Sequence, residues 1–169
     1  ATSFNQPIGN WDISNVNNID GMFWGATSFN QDLNAWNVSS LSELRNVFYG
    51  ATSFNSDIGK WNVKSVTDME NMFREASAFN IDISSWDVSN VTQMKGLFQD
   101  ATSFNQNLSN WKLNVKLPKS RTMFKDAKSF NIKEYNPFNN TGLNIPVVKI
   151  KKENIAKELS AEDKKLFSK

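Results

Sequence analysis

The residue types that most often do chemistry are either absent from this chain or scattered through it. Of 169 residues none is His and none is Cys. That removes the commonest general base, the commonest metal ligand and all thiolate chemistry together, and it rules out disulfides. The seven glycines are dispersed and make no G-x-x-x-x-G-K phosphate loop. The Asp and Glu residues are spread over successive repeats at spacings that predict no carboxylate pair, and the Gly-Asp nonapeptides of a calcium-binding array do not occur. No catalytic, cofactor or metal site is expected, and the chain does not read as an enzyme. Sequons at Asn37, Asn90, Asn107 and Asn139 carry little weight in a chain so rich in Asn and Ser.

The residues that remain as candidates are those whose spacing suits recognition, and a repeat positions them. Ala-Thr-Ser-Phe-Asn occupies 1–5 and returns at 26–30, 51–55 and 101–105, with variants at 76–80 and 127–131. Ten residues after each of the first five alanines stands a tryptophan: Trp11, Trp36, Trp61, Trp86 and Trp111. A fixed period of 25 residues is the mark of a stacked array. Numbered 1 to 25 from the alanine, positions 8, 11 and 13 (Ile58, Trp61, Val63) have strand-like alternation at their end. Positions 16, 19, 22, 23 and the next 1 (Val66, Met69, Met72, Phe73, Ala76) follow a helical period. Ser14-Asn15, Ser39-Ser40, Ser65 and Ser89-Asn90 precede that run as candidate N-caps, and Gly25 and Gly50 follow it as candidate C-terminal breakers. The expected fold is α/β: a leucine-rich-repeat-like solenoid of 25-residue strand–helix repeats with a C-terminal cap. Strands stack about 4.8 Å apart and helices about 8–10 Å, so the array should curve with its strands on the concave face.

Within such an array the repeated aromatics read as structural ladders. Phe29, Phe54, Phe79 and Phe104 line up as a spine, and the Trp column packs beside them. Asn30, Asn55, Asn80 and Asn105 read as a ladder bonding loop backbone in their own coil and the next. Two surfaces are left for binding. Position 12 places Asp12, Asn37, Asn62 and Asp87 in a polar row, and position 24 places Trp24, Tyr49 and Arg74 side by side.

The motif Phe-Asn-x-Asp-Ile-x-x-Trp-x-Val, continued by Val-Thr-x-Met-x-x-Met-Phe at 54–73 and with Leu97 for the second Met at 79–98, resembles the 25-residue repeat of BspA-like leucine-rich-repeat surface proteins. The resemblance covers about 1–131. It implies a cell-surface or secreted location, in bacteria and some protists, and work as an adhesion or interaction module; similar arrays occur in large DNA viruses. That family has no shared catalytic residues.

The chain divides into five repeats and a partial sixth over 1–131, a capping loop over 132–146 and a basic strand and helix tail over 147–169. The fifth repeat carries an extra residue near Asn114 and Val115, and a short helix is expected over 119–125. Net charge is +2, unevenly placed: residues 1–111 hold 5 Lys/Arg against 11 Asp/Glu, and residues 112–169 hold 14 against 6. Such polarity suits contacts with a partner or a neighbouring subunit. No apolar run is long enough to span a membrane. The start on a repeat boundary, without Met or signal peptide, reads as a fragment or processed product lacking earlier repeats or an N-terminal cap. The functional expectation is a non-catalytic repeat scaffold for protein or glycan recognition and adhesion, part of a larger surface protein. The alternative is a structural component of a virion or surface layer that docks through its basic tail. Nucleic acid is not expected as a partner, because no aromatic residues interleave the basic end.

Overall fold

The computed structural model describes residues 2–114 and 122–140. Within them the expected strand–helix solenoid is not the fold. The only helical element is a four-residue 3-10 turn, Pro137–Asn140. The only strand-type pairings are two isolated parallel bridges, Glu43 to Asp68 and Asp68 to Gln93. The repeats do stack on one another, but each coil is built from turns.

Coil 3, residues 51–75, shows how. The N–H groups of Phe54, Trp61, Val66, Met72, Arg74 and Ala76 donate to carbonyls three residues back, at 2.9–3.2 Å. The N–H groups of Met69, Asn71, Phe73 and Glu75 point the other way, to the carbonyls of Gln93, Lys95, Leu97 and Gln99 in the next coil, at 2.8–3.0 Å. Over positions 19 to 25 the backbone thus alternates, one donor closing a turn in its own coil and the next reaching forward to its neighbour. An α-helix would spend every interior N–H on its own i−4 carbonyl and leave none for the adjoining coil. The apolar spacing of 16, 19, 22, 23 and 26 fits a succession of three-residue turns as well as it fits a helix, which is why it reads as helical.

This alternation needs a left-handed backbone at positions 21 and 25. Gly21, Asn46, Asn71 and Gly96 have φ of 54–65°, and Gly25, Gly50, Glu75 and Asp100 have φ of 60–67°. Gly, Asn and Asp are the residues that tolerate this region, so Gly25 and Gly50 serve a repeating turn and do not end helices. The expected strand at positions 8–13 is likewise two turns, from Ile58 to Trp61 and from Val63 to Val66 in coil 3. The caps expected at Ser14-Asn15, Ser39-Ser40, Ser65 and Ser89-Asn90 have no helix to cap; they lie in the corner between these turns and the next.

With helices gone, the reason for curvature goes too. Phe23, Phe48, Phe73, Phe98 and Phe124 stack along the array with ring centroids 5.4–5.7 Å apart. Phe4, Phe29, Phe54, Phe79, Phe104 and Phe130 form a parallel stack at 5.7–6.1 Å. The two stacks interlock: Phe48 lies 3.8 Å from Phe54, and Phe73 lies 3.9 Å from Phe79. Trp36 and Trp61 are 6.5 Å apart at 5°. None of these spacings approaches the separation that packed helices require.

The Trp column also binds coil to coil. The indole N–H groups of Trp36, Trp61, Trp86 and Trp111 donate to the carbonyls of Ile8, Leu33, Ile58 and Ile83, 28 residues back, at 3.0–3.2 Å. Each of those carbonyls also accepts the backbone N–H of its own coil's Trp, so both lone pairs are used. Along this edge, among the described residues, backbone-to-backbone bonds between coils are confined to Leu108 N–H donating to Tyr135 O.

Beyond coil 4 the offset becomes 26 residues, as in Phe98 on Phe124 and Phe104 on Phe130. Trp111 still keeps its 28-residue bond to Ile83, so the extra residue falls between Trp111 and Met123. The short helix expected over 119–125 is represented by turn residues from 122 onward; 115–121 lie outside the described residues. Of the loop expected over 132–146, residues 132–140 are described. Phe138 and Asn136 are buried, and Asn136 Oδ1 accepts the N–H of Phe138 at 3.1 Å. The basic segment 147–169 lies outside the described residues.

Two predictions test this architecture. Trp61→Phe removes the indole donor and some ring volume and should cost about 2 kcal/mol of unfolding free energy. Trp11→Phe should change stability by less than about 0.5 kcal/mol, because Trp11 is 51% exposed at the first coil. Gly50→Ala should lower the urea midpoint through left-handed strain of about 1 kcal/mol, whereas Asp100→Gly should raise it. Midpoints moving in the same direction would contradict the turn-by-turn backbone.

Candidate functional site

The position-24 residues meet. Trp24 and Tyr49 stack at 5.1 Å and 10°, and the Arg74 guanidinium lies 5.3 Å above the Tyr49 ring. Tyr49 Oη donates to Glu75 Oε1 at 3.2 Å, and Arg74 stands 3.5 Å from the same carboxylate. Burial pushes the Tyr49 phenol up, with Arg74 opposing and Glu75 adding to the rise. The stacking runs along the array, so both faces of Tyr49 are covered and its edge is what solvent meets. Only Trp24, 59% exposed, keeps an open face. Beside this row a charge column alternates in sign through Asp20, Arg45, Glu70 and Lys95, joined by Arg45–Asp20 at 3.4 Å and Lys95–Glu70 at 4.0 Å.

The position-12 residues lie on a different edge, in the two turns over positions 8–16. Asp12, Asn37, Asn62 and Asp87 are exposed and share one register. Each folds its Oδ1 back to accept the N–H two residues on, from Ser14, Ser39, Lys64 and Ser89, at 2.9–3.2 Å. These are Asx turns. Sequence reasoning missed the matching set at position 7, where Asp32, Asp57, Asp82 and Asn107 bond Asn34, Gly59, Ser84 and Ser109. The signal was present as Asp or Asn two residues before Ser, Gly or Asn. The sequons at Asn37 and Asn107 coincide with these turns.

The structural ladders lie where the repeat places them. Asn30, Asn55, Asn80, Asn105 and Asn131 each donate their N–H to Oδ1 of the Asn one coil earlier, at 2.8–3.0 Å. This ladder is exposed, not buried. Trp36, Trp61, Trp86 and Trp111 are buried and present no ring face for a ligand. Among the described residues no group of three or more Asp and Glu is placed to hold a metal ion, and no helix is long and apolar enough to cross a membrane.

An open cleft of about 390 Å³ lies over coils 4 and 5, lined by Ser85, Asp87, Ser89, Asn110 and Lys112 among others. Asp87 accepts both the N–H and the hydroxyl of Ser89, at 3.1 and 2.6 Å. Those bonds, the hydroxyl first, hold its carboxyl below the ordinary range, with Lys64 and Lys112 adding to the effect. Asp68 departs oppositely: burial raises it, against its bond from Glu70 N–H and the charge of Arg45.

The signs give a prediction. A carboxylate lowered on folding adds stability above its unfolded pKa of about 3.9 and loses it as pH falls through the lower folded value. Asp87→Asn keeps the turn, as Asn37 and Asn62 do, and should flatten the loss of stability below about pH 4. Asp68, raised on folding, costs stability at neutral pH and is relieved as pH falls. Asp68→Asn should therefore raise the melting temperature at pH 7, since Asn18 makes the same bond to Asp20. Melting curves of both variants across pH 2.5–7 check the pair.

Comparison with known proteins follows the repeat. No curated protein matches the chain. The family described as "Mycoplasma protein of unknown function, DUF285" matches residues 1–55 and 32–138. These matches together cover well over half of the 169 residues, and the chain belongs to that family.

Proposed function

We propose that the chain is a non-catalytic recognition array, part of a larger surface protein that binds a glycan or another protein. The observation that carries this reading is a contrast between inside and outside. The inward positions hold the same residue types in successive coils and satisfy one another through the Phe stacks and indole bonds. The outward positions share the same spacing but change character from coil to coil: Asp20, Arg45, Glu70, Lys95 in one row, and Trp24, Tyr49, Arg74, Gln99 in another. A constant frame presenting varied side chains at fixed intervals suits recognition, since rigid display lowers the ordering cost of binding. The resemblance to BspA-like surface proteins supports the same reading and a cell-surface or secreted location. The rival reading, a virion or surface-layer component docking through 147–169, rests on residues outside the described part of the chain.

The test is retention of the full chain on arrays of glycans and extracellular proteins. Saturable binding that weakens by about tenfold in Trp24→Ala or Asp87→Ala, at unchanged melting temperature, supports the proposal. Retention by nothing, or retention blind to every outward substitution, rejects it. Binding that disappears only on deletion of 147–169 favours the docking alternative.

A further inference from the structure

The cations of residues 2–114 fall into two groups. Arg45, Arg74 and Lys95 stand within 4.0 Å of carboxylates at positions 18, 20 and 25. Lys60, Lys64 and Lys112 are exposed and make no ion pair of that kind. All three belong to the other edge, at positions 10, 14 and 12 of coils 3 and 5, on either side of coil 4 in the register: Lys112 lines the cleft with Asp87, Lys64 is close enough to lower the Asp87 carboxyl, and Lys60 shares coil 3 with Lys64. Residues 1–111 carry 5 Lys/Arg against 11 Asp/Glu, so this cationic spot sits on an otherwise acidic array.

The cleft between these lysines is lined by hydroxyls and an amide: Ser85, Ser89 and Asn110. Ser89 ties down Oδ1 of Asp87, which leaves the second carboxylate oxygen as an acceptor at the cleft. A ligand matching this pattern has hydroxyl donors at its centre and negative charge at its ends.

We infer that the cleft over coils 4 and 5, with Lys60, Lys64 and Lys112 around it, binds an anionic saccharide, its hydroxyls on Asp87, Ser85 and Asn110 and its carboxylate or sulfate groups on the lysines. The volume of about 390 Å³ is at the small end of ligand sites and suits one sugar unit of a longer chain. Nucleic acid fits less well. The site offers no open aromatic face, because Trp86 is buried, and stacking on such faces is how single strands are held. The Asp87 carboxylate and the acidic array also oppose a continuous phosphate backbone.

This inference rests on the recognition reading and names its ligand class. The experiment is titration of the full chain with a sulfated, uronic-acid-containing hexasaccharide, beside a neutral glucose hexasaccharide and inorganic sulfate. Saturable binding of the acidic sugar is expected, weakened about tenfold by K60A/K64A/K112A together, given the modest worth of each exposed charge contact. Asp87→Asn should weaken it several-fold, a loss that pure charge attraction would not produce, since removing a negative charge favours an anion. Lys128→Ala, a loss of charge at an exposed return-loop position in neither outward row, should leave it unchanged. The inference is overturned if the triple variant binds as the parent does, if Asp87→Asn binds more tightly, if the neutral sugar binds equally, or if inorganic sulfate at matched charge displaces the sugar. Retention of some other ligand on the arrays, with no acidic-sugar binding, would defeat this inference and leave the recognition reading standing.

Discussion

Everything in this molecule depends on how positions 19 to 25 divide their backbone donors. Alternate N–H groups turn back into the coil and forward into the next one, so the segment is at once a chain of turns and a seam between repeats. Buried backbone groups must be paired, and this arrangement pairs the forward N–H groups without helix or continuous strand. It also brings successive coils to the distance at which phenyl rings stack. The cost is a backbone held at positive φ twice per coil, which Gly and Asn meet with little strain and Glu75 and Asp100 meet with more.

The seam is supported on its far side by bonds of another kind. The Trp indoles reach back 28 residues to carbonyls that already serve their own turns, and the Asn amides link the return loops 25 residues apart. Between these lies the doubled Phe stack. Each coil has few local resources of its own; its order comes from the coils above and below, as in any linear array of repeats. Residues 132–140 illustrate the point: Phe138 is buried, and the carbonyl of Tyr135 accepts the N–H of Leu108.

Because the frame consumes backbone and aromatic groups so fully, the outward side chains are left to vary. Their local role is modest: Asx turns at positions 7 and 12, and exposed ion pairs on the turn edge, the latter contributing little to stability. The carboxylates of the candidate site are therefore turn formers first. Asp87 commits its Oδ1 to Ser89 and also lines the cleft over coils 4 and 5.

The amino-acid sequence alone determined the repeat, its period, the identity of the columns and the absence of His and Cys chemistry, because equivalent residues recur at equal spacing whatever backbone joins them. It also placed Trp24 beside Tyr49 and Arg74, since register alone brings position 24 of successive coils together. What it left undecided was the backbone. Apolar residues at 16, 19, 22, 23 and 26 fit helix and serial turns alike, and only contact with the next coil resolves the choice, by offering carbonyls to alternate N–H groups. The Gly, Asn and Asp at positions 21 and 25 were the local trace of that choice, legible as left-handed residues only once the partner coil is in place. The charge around the cleft was likewise a tertiary outcome: Lys64 and Lys112 lie 48 residues apart in the chain, and both act on Asp87 because stacking converts a 25-residue interval into one coil step.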